Sequence, residues 1–144
     1  MKVVIQRCIS GNVIINNQIY SEITKGMVIL VGFTEGDNEH TLQEMAKKIS
    51  NLRIFDDENG IMNKSIIDIS GEILSVSQFT LYGDTNKGNR PSYMKALAGE
   101  FSIKLYESFN QMLNEIVPTK SGLFGADMLL NIQNDGPVTI IIEK

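Results

Sequence analysis

Two short polar segments contain the residue types in this chain that could do chemistry. The first, Ser77-Gln78-Phe79-Thr80, places two hydroxyls and an amide at the end of an apolar run. Such groups can donate hydrogen bonds to a reacting carbonyl, and a hydroxyl becomes a nucleophile when a base activates it. By residue type alone the segment also fits a half-buried strand, in which Ser77 and Phe79 face one way and Gln78 and Thr80 the other.

The second segment, Asn134-Asp135-Gly136-Pro137-Val138-Thr139, lies between two apolar runs near the end of the chain. Those runs, 128–132 and 138–142, are typical of strands. A glycine here leaves room for a ligand to approach the main chain, and a proline suits a strand position that needs no ladder donor. The residues alone favour a hairpin turn on Asp135-Gly136, because only about 5–6% of X-Pro bonds in folded proteins are cis.

The side chains of the commonest catalytic and metal sites are scarce. The only histidine, His40, is expected to be a solvated residue at the start of a helix. The acidic run Asp56-Asp57-Glu58 precedes Asn59-Gly60, which predicts a solvated turn rather than paired catalytic carboxylates. The single cysteine, Cys8, allows no internal disulfide and is expected in the core. The sequence therefore predicts no metal and no cofactor.

Length and composition indicate one globular domain over residues 1–144, with 42% hydrophobic and 21% charged residues. A net charge of −4 argues against a broad nucleic-acid-coating surface, but it allows a site that takes only the end of an RNA. No run reaches the ~20 apolar residues of a membrane helix, and the first apolar run is too short for a signal peptide. A cytoplasmic protein without membrane contact is the expectation.

The elements that must position the two segments follow from the apolar pattern. Strands are predicted over 2–9, 12–15, 19–23, 26–33, 72–81, 117–122, 127–132 and 138–142. Two amphipathic helices are predicted, one ending near Leu52 and one over 100–116. The buried face of the second helix is expected to carry Phe101, Leu105, Phe109, Met112 and Leu113. Because strands outnumber helices and separate them, the fold class is α+β, with a mainly antiparallel, barrel-like β-sheet.

Both polar segments resemble the paired signature of the D-aminoacyl-tRNA deacylases, also called D-tyrosyl-tRNA deacylases. Five further segments resemble that family in the same order, and they extend the similarity over essentially the full length: Val4-Ile5-Gln6-Arg7, Asn51-Leu52-Arg53-Ile54-Phe55, Met62-Asn63-Lys64-Ser65, Lys87-Gly88-Asn89-Arg90-Pro91-Ser92 and Phe124-Gly125-Ala126-Asp127-Met128. The resemblance implies a hydrolase that cleaves the ester between a D-amino acid and the acceptor end of tRNA. It also implies a homodimer with the active site at the subunit interface.

The resemblance also assigns roles to residues. It implies that Ser77, Gln78, Phe79 and Thr80 line the adenosine end of the pocket. It further implies that Gly136-Pro137, joined by a cis bond in the family, holds the α-amino group in the partner's pocket and acts as the chirality filter. This favours a cis bond over the hairpin turn.

The mechanism expected from these residues relies on position and backbone dipoles. The motif supplies no histidine, lysine or carboxylate to activate Thr80, so water or the ribose 2′-hydroxyl is the more economical nucleophile or activating group. The main-chain N–H of Phe79 or Thr80 would stabilise the oxyanion. Two other functions stay open. A non-catalytic RNA-binding module is disfavoured by the acidic charge and by the lack of a stripe that is both aromatic and basic. A Thr80-nucleophile amidase or esterase would act on a small metabolite.

Overall fold

The sheet is organised around one long strand that pairs with three others. A computed structural model describes residues 1–144. It contains β1 (Lys2–Ile15), β2 (Gln18–Ile23), β3 (Gly26–Gly32), α1 (Glu39–Ser50), β4 (Phe55–Asp56), β5 (Met62–Lys64), β6 (Glu72–Ser77), a 3₁₀ helix (Phe79–Tyr82), α2 (Gly99–Asn114), β7 (Thr119–Ser121) and β8 (Leu129–Glu143). The strand order is β2-β1-β3-β6-β7, with β8 also paired to β1, and β4 and β5 form a separate ribbon.

The predicted α+β, barrel-like class is confirmed, and the sheet is mixed. β1 pairs antiparallel with β2, β3 and β8, whereas β6 pairs parallel with both β3 and β7. β3 and β6 are apolar on both faces because both faces are covered, which is the usual condition of parallel strands. One face carries the helices and the larger core, and the other carries a smaller cluster that includes Cys8, Val13 and Leu74.

The division of the longest strands was predicted wrongly. The predicted strands 2–9 and 12–15 are one continuous strand, β1. The predicted strands 127–132 and 138–142 are likewise joined in a second continuous strand, β8. Asp135-Gly136 therefore does not form a hairpin turn. The β1–β8 register shifts on both sides of Cys8. Between the pairs Gln6–Thr139 and Cys8–Asn134 only Arg7 of β1 lies opposite residues 135–138, so β8 itself bulges at the proline segment. β8 pairs only with β1, and a proline is tolerated on such an edge because no ladder donor is lost.

The helices pack on the sheet through apolar faces, and one face differs from its prediction. In α1, Leu42, Met45 and Ile49 are buried as expected. In α2, Phe101 is 57% exposed, while Tyr106 is buried. Tyr106 can bury its ring because its hydroxyl donates to the Ser75 carbonyl at 2.8 Å. No helix of the protein is long and apolar enough to cross a membrane.

Candidate active site

β6 ends at Ser77 and does not continue to Leu81 as predicted. Gln78 N–H still donates to the Val31 carbonyl at 2.7 Å, and the chain then turns into the 3₁₀ helix. The alternation predicted beyond Ser77 is therefore wrong. The turn lies close against β3 at Gly32, where an added Cβ would lie 3.0 Å from the Gln78 carbonyl oxygen. Glycine at this position lets the turn fold back on the strand.

A cleft of about 610 Å³ opens where β6 ends. Ser77, Gln78 and Phe79 form part of its wall, and other parts come from Phe33 and from residues 124–128. Its volume falls within the 300–1,000 Å³ typical of small-molecule sites, and most of its lining is apolar. Asp127 and Tyr93 are the only titratable side chains in the lining, so the cleft offers no histidine, lysine or cysteine.

Thr80 is the one residue of the Ser77–Thr80 segment that does not line the cleft. Its Oγ1 accepts a hydrogen bond of 2.6 Å from Gln78 Nε2, and it has no side-chain hydrogen bond to a base. The first hydrogen bond of the 3₁₀ turn runs from Leu81 N–H to the Gln78 carbonyl. The N–H groups of Phe79 and Thr80 precede it and have no intrahelical partner. Phe79 lines the cleft, so a main-chain donor is available at the cleft wall, and that of Thr80 follows one residue later.

The Gly136–Pro137 segment lies outside the cleft of the same chain. Its peptide bond is cis, both residues are exposed, and neither lines the cleft. The strand pairing shows how far apart the two segments are. Pro137 of β8 lies opposite Arg7 of β1, Arg7 pairs with Met27 of β3, and Met27 pairs with Ile73 of β6. Ser77 lies four residues beyond Ile73 in β6. Pro137 and Ser77 are therefore separated by about 13 Å along the strands and by about 14 Å across three strand spacings. One chain does not bring the two predicted site segments together.

Comparison with known proteins shows the family. The family model for D-Tyr-tRNA(Tyr) deacylase matches residues 4–143. The chain belongs to the D-Tyr-tRNA(Tyr) deacylase family. A curated D-aminoacyl-tRNA deacylase from Bacteroides fragilis is 54% identical, with 99% of this chain and 97% of that protein aligned. Its counterpart from Parabacteroides distasonis is 49% identical, with 100% and 97% aligned. The predicted family and the prediction of a hydrolase are confirmed.

Two solved structures share the fold of this deacylase-family chain. One is described as c-Myc DNA Unwinding Element Binding Protein, with a TM-score of 0.95, 41% identity, and coverage of 100% of this chain and 99% of that one. The other is described as a probable eukaryotic D-amino acid tRNA deacylase, with a TM-score of 0.84 and coverage of 98% and 97%. At 18% identity the second shows the fold alone. The first match covers the whole chain and the second covers 98% of it, so the shared fold extends over essentially the full length.

Arg7 fixes the glycine–proline segment of this deacylase-family chain, a role that was not predicted from the sequence. Arg7 is only 6% exposed. Its Nε donates to the Asp135 carbonyl at 3.2 Å and lies 3.1 Å from the Asp135 carboxylate. Its Nη1 donates to the Ile54 carbonyl at 2.8 Å and to Asp56 at 3.2 Å. The alternation of side chains along β1 could have indicated its burial, because Val3, Ile5 and Arg7 lie on the same buried face of the strand.

Tyr106 supports the end of β6 from behind the cleft. Its hydroxyl donates to the Ser75 carbonyl and also lies 3.5 Å from the Gly122 carbonyl oxygen, and the centroids of the Tyr106 and Phe124 rings are 5.8 Å apart. Burial raises the pKa of Tyr106, so the hydroxyl stays a donor at neutral pH. It therefore ties together two segments that lead into the cleft.

The other candidate residues have the non-catalytic positions that were predicted. His40 is exposed on α1. Asp57 accepts main-chain hydrogen bonds from Asn59 and Ile61 within its turn. Cys8 is buried, and burial raises its pKa to about 11, so its thiol is inert at neutral pH.

Proposed function

We propose that the protein hydrolyses the ester bond of D-aminoacyl-tRNA, such as D-tyrosyl-tRNA, to free D-amino acid and tRNA. The observation that carries the proposal is the cleft walled by Ser77-Gln78-Phe79, in a chain that matches named D-aminoacyl-tRNA deacylases over its whole length. The cleft has room for a terminal aminoacyl-adenosine, while the rest of the tRNA stays outside. The activity belongs in the cytoplasm, with the tRNA used in translation.

The chemistry we assign to the cleft is backbone-stabilised and substrate-assisted. Water adds to the ester carbonyl, and the ribose 2′-hydroxyl of the substrate orients it and relays its proton. The N–H of Phe79, which lines the cleft, or that of the following Thr80 donates to the oxygen that becomes negative. The carbon–oxygen bond to the ribose then breaks, and its oxygen takes the proton. The enzyme contributes position and dipoles, which is consistent with a lining that has no histidine or lysine.

A Thr80 nucleophile fits this geometry poorly. Thr80 does not line the cleft, and no histidine, lysine or carboxylate is hydrogen-bonded to its hydroxyl. A threonine hydroxyl without an adjacent base is a weak nucleophile. The alternative of a threonine-dependent amidase or esterase therefore has no supporting contact.

We also propose that Gly136-Pro137 of a second copy completes the cleft, which makes the active form a homodimer with its sites at the subunit interface. The separation of the two segments within one chain supports this, and so does the exposure of both residues on β8. Arg7 holds the segment from beneath, so it can enter a neighbour as a rigid projection. A two-fold dimer is the commonest closed assembly, and it would form two equivalent sites.

The glycine–proline segment then acts as a chirality filter by exclusion. Its main-chain carbonyls hold the α-amino group, so the side chain of a D-amino acid points towards solvent. An L side chain points into the main chain of Gly136-Pro137 and clashes. Glycine has only hydrogen in both directions and has nothing to clash, so glycyl-tRNA is also a substrate in this account.

A panel of charged tRNAs tests the proposal. D- and L-tyrosyl-tRNA are compared first, followed by glycyl-, L-alanyl- and D-alanyl-tRNA under the same conditions. We expect D-tyrosyl-tRNA to be hydrolysed about 10⁴-fold faster than L-tyrosyl-tRNA, which corresponds to roughly 5.5 kcal/mol between transition states. Glycyl- and D-alanyl-tRNA should be hydrolysed and L-alanyl-tRNA spared. Equal rates on both tyrosyl substrates would end the proposal, and survival of glycyl-tRNA would show that the filter recognises a D side chain positively.

A further inference from the structure

The rim of the cleft carries an aromatic pair that remains exposed. Phe79 and Tyr93 pack edge to face, with ring centroids 5.1 Å apart. Even so, 58% of Phe79 and 39% of Tyr93 stay accessible, and the adjacent Met94 is 93% exposed. Both aromatic residues also line the cleft. Exposed apolar surface grouped at the mouth of a cleft is typical of a binding surface rather than of an ordinary protein exterior.

A basic loop is attached to the same rim. Asp84 and Ser92 exchange two main-chain hydrogen bonds, of 2.8 and 2.9 Å, which close the loop 85–91 immediately before Tyr93. Lys87 and Arg90 in this loop are exposed and take part in no salt bridge or side-chain hydrogen bond. Segment 84–95 contains three cations and one carboxylate, so its net charge is +2 in a chain of net charge −4. The positive charge is local and unpaired.

The aromatic pair and the basic loop are close enough to contact one ligand. Arg90 precedes Tyr93 by three residues, so their Cα atoms are at most about 11 Å apart. Aromatic rings flanked by unpaired cations are the two components by which proteins hold single-stranded nucleic acid, because rings stack on any base and cations neutralise phosphates.

We propose that Phe79, Tyr93, Lys87 and Arg90 bind the unpaired nucleotides that precede the terminal adenosine of tRNA. The inference rests on the proposed function, in which the cleft holds the aminoacyl-adenosine and the strand leaves across this rim. A preceding base stacks on the exposed ring surface, and Lys87 and Arg90 contact the phosphates. This surface supplies affinity for tRNA whatever amino acid the tRNA carries.

Comparing two substrates distinguishes contacts at the rim from contacts in the cleft. D-tyrosyl-tRNA engages both, whereas D-tyrosyl-adenosine, which lacks the preceding nucleotides, engages only the cleft. The K87Q/R90Q double variant should raise KM for D-tyrosyl-tRNA about tenfold and leave kcat nearly unchanged, while its kinetics on D-tyrosyl-adenosine match the wild type. The slope of log KM against log salt should fall by about 0.7 for each lost phosphate contact. The K47Q/K48Q double variant, at two exposed lysines on α1, makes the same charge change away from the rim and should leave the kinetics on both substrates unaltered.

Stacking has its own readout. Uncharged tRNA carrying 2-aminopurine immediately before its terminal adenosine should change its emission when the wild-type protein binds, because the fluorescence of this base responds to stacking. Tyr93→Leu keeps apolar bulk but removes a ring, so the change in emission should shrink at saturating protein.

The outcomes of these two experiments are distinct. If K87Q/R90Q raised KM equally for both substrates, or left KM for D-tyrosyl-tRNA unchanged, the basic-loop contact would be overturned. An unaltered emission change with Tyr93→Leu would overturn stacking. A wild-type protein inactive on D-tyrosyl-tRNA would instead overturn the proposed function, and the two failures cannot be confused.

Discussion

The turn at 77–80 and the segment at 136–137 are held in place by opposite means. Main-chain hydrogen bonds and close packing on Gly32 fix the turn, which borders an apolar cleft. A buried guanidinium, that of Arg7, fixes the glycine–proline segment, which is exposed. The turn is part of a concave surface and the segment is a projection. A concave turn and a rigid projection are the two shapes that the proposed shared site requires, and in that proposal both act through main-chain groups.

The largest effect is expected where a main-chain donor is removed from the turn. Phe79→Pro deletes one N–H at the first position of the 3₁₀ helix, where a proline is sterically tolerated. Loss of one oxyanion donor should lower kcat about 10²–10³-fold. Phe79→Ala is the matched control, because it removes the ring but keeps the donor, and its kcat should fall much less. If both variants lose kcat equally, the ring rather than the N–H is what the turn contributes.

Gly136→Ala alters the glycine–proline half of the proposed site. It should lower kcat/KM about 100-fold on every substrate, which corresponds to roughly 2.7 kcal/mol. Gly136 has a φ of +119°, and an added Cβ would lie 2.8 Å from Val138 Cγ2 and 3.2 Å from Arg7 Nη2. Gly60→Ala controls for backbone strain alone, because Gly60 has a φ of +74° with nothing within 4 Å of an added Cβ. Circular dichroism and steady-state kinetics on both variants provide the measurement. Full activity of Gly136→Ala would show that this main chain does not touch the substrate.

Mixing the two variant proteins tests whether the turn of one subunit and the glycine–proline segment of its partner form one site. A heterodimer of Phe79→Pro and Gly136→Ala chains has one site with both defects and one intact site. Random exchange of subunits should therefore restore roughly a quarter of wild-type activity from two nearly inactive preparations. If the site lay within a single chain, every site would keep a defect and the mixture would gain nothing.

The smallest effect is expected at Thr80. Its hydroxyl lies outside the cleft and only accepts a hydrogen bond from Gln78. Thr80→Ala keeps the main-chain N–H, so kcat should fall by less than about tenfold. A loss of about 10⁴-fold or more, together with an acyl-enzyme trapped on the wild-type protein, would identify Thr80 as a covalent nucleophile and contradict the backbone mechanism.

Local pattern was sufficient for the existence of both helices and of the apolar strands, and for the fold class, although not for where every strand ends. The apolar spacing in α1 and the continuous runs of β3 and β6 are visible in the sequence because burial of one helix face or of both strand faces constrains residue type directly. The glycine–proline segment and the end of β6 were also recognisable as unusual, since glycine, proline and clustered hydroxyls interrupt those patterns. The family followed from the same motifs.

How these pieces are joined depends on long-range contacts that local pattern does not contain. Strand β8 continues through Pro137 as a bulge because β1 pairs with it on both sides of residues 135–138, and no local signal near Pro137 contains that information. Arg7 reaches Asp135 and Ile54 across 128 and 47 residues of sequence, so its role depends on pairing that spacing does not show. The rim likewise brings together the rings of Phe79 and Tyr93, which are 14 residues apart in the sequence. Local propensity determines elements, whereas long-range pairing determines which of their side chains share a site.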